Sequence, residues 1–321
     1  LDDGSDTTKA VANMRKLITE DKVDVVLGST ITPNSLAMID VVAENQVPMI
    51  SMAASARIVE PVDAKKRWVF KTPQNDIMMS LAIATHMANS GVKTVGFIGF
   101  ADAYGEGWYG EFAKVASLKG LQIVANERYA RTDTSVTGQV LKIVAARPDA
   151  VLTGGSGTPG ALPYLALAER GYKGHIFGTH ALINPDFVRV GGASVEGLLA
   201  PTGPVVVAEQ LPASSPIRKV AMDFRAAYQK AHNAPANDAF SAYSFDAWLM
   251  FADAAARAGA ASKAEPGTQA FRTALHEAVI STKELVGTHG VYNMRADSRY
   301  GSDERARVIV KLEKGQWKLV P

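Results

Sequence analysis

Two loops of small and hydroxyl-bearing residues could together bind a small acid. The first follows the apolar run 23–28, where Thr32 suits a helix N-cap and Pro33 suits the first helical position, which needs no N–H partner. The free N–H groups of a first helical turn attract anions. Because the second loop follows the next apolar run, 48–52, we predict one pocket at these two strand ends. The second loop consists of Ala53, Ala54 and Ser55.

A glycine-rich segment at residues 155–160 matches G-x-G-x-x-G, which is typical of dinucleotide-binding loops. Such a site needs an acidic residue at the end of the next strand to hold the ribose, and Thr179 and His180 stand there instead. A flexible loop at a strand end explains the glycines as well. A nicotinamide-dependent or hydrolytic enzyme is therefore only an alternative, and we predict no cofactor.

Catalytic and metal chemistry lack their usual sequence patterns. Neither G-x-S-x-G nor H-E-x-x-H occurs, and the six histidines are scattered. The absence of cysteine excludes disulfides, thiolate metal sites and cysteine nucleophiles. We predict no catalytic residue, no metal site and no enzymatic activity.

Three further side chains could contact a ligand. His180 follows a predicted strand and could donate a hydrogen bond to a carboxylate or a phenol. Tyr104, at a strand-to-helix corner, offers a ring face and a hydroxyl. A structural loop histidine and simple corner packing explain these two positions equally well. Phe240 lies on an alanine-rich helix, where most aromatic residues belong to the core.

The elements that must position these residues alternate between helix and strand up to Pro201 and then become mainly helical. Units of this kind build parallel sheets flanked by helices, and ligands bind at the carboxyl ends of the strands. The predicted strands are 23–28, 48–52, 92–100, 121–129, 149–153 and 175–179, with a terminal hairpin at 305–312 and 316–320. The predicted helices are 6–20, 33–45, 76–90, 105–119, 135–146, 160–170, 215–232, 238–258 and 267–279.

The size and charge of the chain further narrow the classes of protein to which it could belong. Its 321 residues exceed the usual limit of a single core, so two lobes are expected. A net charge of +2 is too balanced to indicate a nucleic-acid partner. No apolar run approaches the length of a membrane-spanning helix.

The chain resembles the periplasmic substrate-binding proteins of ABC importers, specifically the branched-chain amino-acid (Leu/Ile/Val) binding group with the type I fold. The resemblance extends over nearly the whole chain and depends on the order and spacing of several short segments. These segments are residues 2–5, 22–28, 47–51, 104–107, 147–151, 195–197 and 244–247.

The resemblance implies an α/β fold with two Rossmann-like lobes, whose parallel-type central sheets are joined by three crossovers near residues 75, 202 and 301. It also implies an export signal, and a first strand and helix that precede Leu1. The implied N-terminal lobe is 1–75 plus 203–300, and the C-terminal lobe is 76–202 plus 301–321.

The same resemblance implies the positions of the site residues. In the family, first-lobe residues that match Thr32 and the loop 53–55 hold the ligand carboxylate, and a residue that matches Phe240 lines the side-chain pocket. A residue that matches Tyr104 and a loop that matches 156–158 close over the ligand. The predicted ligand-binding residues are Thr32, Ala53, Ala54, Ser55, Tyr104, Ser156, Gly157, Thr158, His180 and Phe240.

Two departures from the family pattern concern the ligand. Amino-acid binders carry a glutamate at the position of His180, where it pairs with the ligand ammonium, and losing one partner of a buried ion pair costs about 3–5 kcal/mol. They often carry an aromatic residue in the loop that matches 156–158, so small residues there enlarge the pocket. We therefore predict a larger carboxylate without an ammonium, such as a benzoate, phenylpyruvate or a hydroxycinnamate.

The resemblance also implies the partners and the location. We expect a monomer that delivers its ligand to an ABC permease of the inner membrane. It would lie in the periplasm, or outside the cytoplasm on a membrane tether in a Gram-positive cell. An amino-acid binder and a ligand sensor of the same fold are the alternatives.

Overall fold

A small parallel sheet occupies the first part of the chain in the computed structural model, which describes residues 1–236 and 238–321. Its middle strand pairs in parallel with both neighbours, so all three carboxyl ends lie at the same edge. Two helices pack on it because each presents an apolar face, with Met14 and Val42 fully buried. These elements are β1 (Val26–Leu27), β2 (Met49–Ser51), β3 (Val69–Lys71), α1 (Thr7–Thr19) and α2 (Thr32–Asn45).

A second, seven-stranded sheet contains most of the remaining strands. The strands that follow β3 in the chain are β4 (Thr94–Phe100), β5 (Gln122–Tyr129), β6 (Ala150–Gly154), β7 (His175–Gly178), β8 (Leu199–Thr202), β9 (Leu285–Val286), β10 (Val291–Tyr292), β11 (Val308–Glu313) and β12 (Gln316–Val320). Of these, β9 and β10 form a separate pair, and β11 and β12 form a hairpin within the seven-stranded sheet. The sheet order is β12-β11-β8-β7-β6-β4-β5. Strands β4 to β8 are parallel, and the hairpin adds two antiparallel strands at one edge.

Helices cover the second sheet and then return to the first. Strand β6 is buried throughout, as expected for a parallel strand covered on both faces. Residues from the late helices, including Met250 and Leu275, share one core with Ile50 and Phe70 of the first sheet. The remaining helices are α3 (Asp76–Asn89), α4 (Ala103–Leu118), α5 (Thr137–Ala145), α6 (Leu162–Glu169), α7 (Pro185–Gly191), α8 (Pro216–His232), α9 (Phe240–Ser262) and α10 (Gln269–Ile280).

The predicted α/β fold with parallel sheets is confirmed, and most elements lie within a few residues of their expected positions. Two local predictions were wrong. The strand expected over 23–28 is paired only at Val26–Leu27, and the N-cap of α2 is Ile31 rather than Thr32. Ile31 has extended backbone angles, so the helix already includes Thr32, and Pro33 follows within its first turn. Within the described residues, no helix has both the length and the apolar character needed to cross a membrane.

Candidate functional site

The carboxyl ends of both sheets surround one cavity of about 350 Å³. Among the described residues, seven of the eight parallel strands contribute residues that follow them in the chain, and β8 is the exception. Phe240 and Tyr243, in the first turn of α9, complete the wall. This is the position at which open α/β sheets bind ligands.

Eight of the ten residues predicted for the site line this cavity. Ala53 and Ser55 do not, so of the predicted loop 53–55 the lining contains Ala54 alone. The N–H of Ala53 donates to Ser51 Oγ (3.1 Å), and Ser55 Oγ accepts from the N–H of Arg57 (3.3 Å), so both residues serve the local backbone behind the wall. The eight lining residues are Thr32, Ala54, Tyr104, Ser156, Gly157, Thr158, His180 and Phe240.

The start of α2 forms a polar part of the wall. Thr32 is the first helical residue, and its side chain is buried. Its Oγ1 has no hydrogen-bond partner within the described residues. The N–H groups of a first turn have no partner in their own helix either. This wall can therefore donate hydrogen bonds to an anion.

His180 is buried, with 1% of its surface exposed, and has two unused ring nitrogens. Neither Nδ1 nor Nε2 has a partner within the described residues, and the ring lies 5.8 Å from that of Trp108. Burial, helped by the positive charge of Lys71, lowers the pKa of His180 to about 3. The imidazole is therefore neutral at physiological pH and offers one donor and one acceptor to a ligand.

Tyr104 lines the cavity, and its hydroxyl makes a hydrogen bond within the protein. The hydroxyl donates to Thr179 Oγ1 (2.8 Å), which in turn donates to the carbonyl oxygen of Gly155 (2.9 Å). Burial raises the pKa of Tyr104 well above its ordinary value, so the phenol stays protonated. This chain of hydrogen bonds fixes the ring against the loop after β6.

Arg131, in the loop after β5, is a cation that the sequence reasoning missed. Its Nε donates to Asp102 Oδ2 (2.5 Å), and its Nη1 donates to Ser156 Oγ (3.0 Å). The guanidinium lies 4.2 Å from the centre of the Phe100 ring. Its place two residues after the end of β5 is the signal that could have found it. The other lining residues that were missed include Ser5, Met52, Pro73, Pro159 and Tyr243.

The lining carries this one cation and, among the described residues, no aspartate or glutamate. The rest of the wall is mostly apolar or aromatic. The cavity thus combines donors for an anion with an apolar surface for the remainder of a small molecule.

Two buried histidines predict a loss of stability in mild acid. His289 Nε2 donates to the carbonyl oxygen of Ala239 (2.9 Å), and burial lowers its pKa to about 3, as for His180. In the unfolded chain both pKa values return to about 6.5, so below that pH the unfolded state binds more protons. We expect each histidine to reduce the free energy of unfolding by about 2 kcal/mol between pH 7 and pH 5.

Urea unfolding at the two pH values measures this effect. The variants His180→Gln and His289→Gln should each reduce the fall in unfolding free energy by about 2 kcal/mol. An unchanged difference in both variants would show that other groups cause the acid sensitivity.

Comparison with known proteins identifies the family. A sequence profile described as "Periplasmic binding protein" matches residues 1–311. The chain belongs to the periplasmic binding protein family. Its relatives and structural neighbours confirm the predicted type I fold and the predicted kinship with the branched-chain amino-acid binding group.

Three similar proteins illustrate the range of this periplasmic binding protein's relatives. An extracellular ligand-binding receptor from Rhodopseudomonas palustris HaA2 is 43% identical, with a TM-score of 0.96 over 100% of this chain and 88% of that one. Leu/Ile/Val-binding protein homolog 3 of Brucella melitensis is 24% identical over 199 residues, which are 62% of this chain and 53% of the relative. The chain thus spans about half the length of that relative.

The third similarity is one of fold alone. A solute-binding protein from R. palustris, solved in complex with benzoate, is 20% identical and has a TM-score of 0.81. The alignment covers 100% of this chain and 83% of that one.

Proposed function

We propose that this periplasmic binding protein captures an aromatic or aryl-keto carboxylic acid, such as a benzoate, phenylpyruvate or a hydroxycinnamate, in the cavity between its two sheets. The observation that carries the proposal is the charge of the wall. Among the described lining residues there is no acid and one guanidinium, at Arg131, whose Nε is paired with Asp102 outside the lining. The start of α2 adds further donors for an anion at Thr32.

The same wall disfavours an α-amino acid. An ammonium in the cavity would need a buried anion, and His180 is a neutral imidazole at the position that faces it. The buried carboxyl of Asp76 is not part of the lining and has Lys71 as its counter-charge. Leaving the ligand's charge without a partner costs about 3–5 kcal/mol, enough to prevent useful affinity.

The apolar part of the cavity suits an aromatic ring. Met52, Tyr104, Phe240 and Tyr243 line it, and aromatic pairs gain about 0.5–1.5 kcal/mol beyond simple burial. The volume of about 350 Å³ lies at the lower end of the range for small-molecule sites. The benzoate complex of a distant protein with this fold supports the choice.

The proposal includes transport. We infer that the protein acts outside the cytoplasm as a monomer and delivers the acid to an ABC permease, as its family implies. We assign the N-terminal lobe to 1–75 plus 203–300 and the C-terminal lobe to 76–202 plus 301–321, and infer that hinge motion closes them over the ligand. The ligand contacts would come from the eight lining residues named above, together with Arg131.

A thermal-shift comparison of four ligands at pH 7.5 tests the ligand class. Phenylpyruvate and phenylalanine share a ring and a carboxylate, but the first has a keto group where the second has an ammonium group. The pair 4-methyl-2-oxopentanoate and leucine differs in the same way and has no ring. We expect phenylpyruvate, at about 100 times its Kd, to add about 2.7 kcal/mol of stability and to raise Tm by about 5 °C. Phenylalanine and leucine should give no shift.

Benzoate and 4-hydroxycinnamate extend the series to other aromatic acids.

The second candidate function is amino-acid binding, which the name of the Brucella relative favours. Leucine binding without binding of any aromatic acid would establish that candidate and refute the proposal.

A further inference from the structure

A fully buried lysine lies directly behind the cavity wall. Lys71 ends β3, and its Nζ donates to three backbone carbonyl oxygens, those of Ala54 (2.6 Å), Pro73 (3.0 Å) and Gln74 (3.1 Å). An ammonium has three N–H donors and no acceptor, so these bonds use its whole capacity. A hydrogen bond from a charged donor is about twice as strong as a neutral one.

Two of the three carbonyl groups belong to residues that line the cavity. Ala54 lies in the loop after β2, and Pro73 lies in the loop after β3. The ladder between those strands ends at Ser51 and Lys71, and a single further backbone bond joins Thr72 N–H to the carbonyl oxygen of Ser51. Beyond that bond, the ammonium of Lys71 bridges the two loops through the carbonyl oxygens of Ala54 and Pro73. Asn75 donates to Glu60 (3.1 Å) farther from the strand ends.

The counter-charge of Lys71 is Asp76, the first residue of α3, which is also buried. Ser55 and the backbone N–H of Ala56 lie close to the carboxylate of Asp76, and both lower its pKa against the effect of burial. Burial raises the pKa of Asp76 to about 6 and lowers that of Lys71 to about 8, and their mutual attraction opposes both shifts. Asp76 therefore balances the charge, and the two groups that approach its carboxylate, Ser55 and Ala56, do not line the cavity.

The surroundings of Asp76 leave little space for rearrangement. A β-carbon placed on Gly107 of α4 would lie 3.2 Å from Ser55 Oγ and 3.7 Å from Asp76 Oδ2. The carboxylate is thus packed between the loop after β2 and helix α4. The chain supplies two buried charges with separable contacts, one that bonds to the wall and one that only neutralises.

We propose that Lys71 is a positioning residue of the ligand site, whose ammonium fixes the Ala54 and Pro73 loops in the geometry that receives the ligand. Asp76 balances the charge of that ammonium and is not itself needed for the shape of the wall. The inference goes beyond the proposed function because it concerns the shape of the wall, whichever ligand the cavity accepts.

Three variants separate positioning from stability: Lys71→Met, Asp76→Asn, and the double variant. Lys71→Met leaves a buried carboxylate and three carbonyl groups unpaired, so both stability and affinity for phenylpyruvate should fall. In the double variant the unpaired carboxylate is gone but the three carbonyl groups stay unpaired, so stability should recover only in part, while affinity should stay about tenfold or more below that of the parent. Asp76→Asn should lose stability but keep its affinity to within about threefold.

Titration calorimetry with phenylpyruvate, with urea unfolding beside it, measures both quantities. Parental affinity in the double variant would overturn the proposal, as would a loss of affinity in Asp76→Asn as large as that in Lys71→Met. Asp76→Asn retains Lys71 and is decisive by itself should the double variant not fold.

A readout without ligand keeps this test independent of the proposed function. Amide hydrogen exchange over 52–56 and 72–76 should be faster in the double variant than in both the parent and Asp76→Asn, because only the double variant lacks Lys71. Equal exchange in the parent and the double variant would contradict the positioning role. A parent protein that binds no aromatic acid would refute the proposed function but not this inference.

Discussion

His180→Glu is expected to weaken phenylpyruvate binding about 100-fold or more and to create measurable affinity for phenylalanine or leucine. His180 is buried and neutral, with both ring nitrogens free of partners in the described chain. An ionised glutamate there would repel the ligand carboxylate, and a buried charge without its partner costs about 3–5 kcal/mol. An amino acid would supply the missing cation through its ammonium. Titration calorimetry at pH 7.5 with the three ligands measures both changes.

The matched control for this change is His180→Gln. Glutamine is neutral and keeps one donor and one acceptor, so phenylpyruvate affinity should fall by no more than about tenfold. Because burial raises the pKa of a carboxyl group, the affinity of His180→Glu for amino acids should increase with pH until the glutamate is ionised. An unaltered ligand profile in His180→Glu would refute the argument from the ammonium.

The sequence was sufficient to predict which loops meet, because strand ends are read from local patterns. Alternating apolar runs and helices predicted parallel sheets, and the carboxyl ends of parallel strands lie at one edge. Thr32, Tyr104 and His180 were therefore assigned to loops that the structure brings to one cavity. The direction of each side chain within a loop depends on turn geometry. Residues 53–55 were predicted together, although only Ala54 faces the cavity.

The two charged residues that matter most for the wall were missed for a different reason. A charged side chain is rarely buried, so Lys71 and Arg131 would be placed in solvent by any local rule. The burial of Lys71 is compensated by three backbone carbonyl groups and by Asp76, and Arg131, which is only partly buried, is held by Asp102 and Ser156. These partners come from separate segments, and only the folded chain brings them together.

Thr32→Val is expected to reduce affinity for the acid about 10- to 100-fold without reducing stability. Valine keeps the shape of threonine and removes only Oγ1, and a hydrogen bond to a charged group contributes about 1.5–3 kcal/mol. Because Oγ1 is buried without a partner in the described chain, its removal exposes no other polar group, and stability should stay equal or rise slightly. Calorimetric titration with phenylpyruvate and thermal unfolding without ligand measure the two effects.

Thr32→Leu tests whether a larger side chain at the same position blocks ligand binding. Its larger side chain would project into a cavity of only about 350 Å³ and cover the N–H groups at the start of α2, so binding should be lost while the helix persists. The two variants together distinguish a carboxylate at this wall from one held elsewhere, for example at Arg131. Parental affinity in Thr32→Val with loss in Thr32→Leu would place the carboxylate away from α2, because the hydroxyl would then have no role beyond the space it occupies.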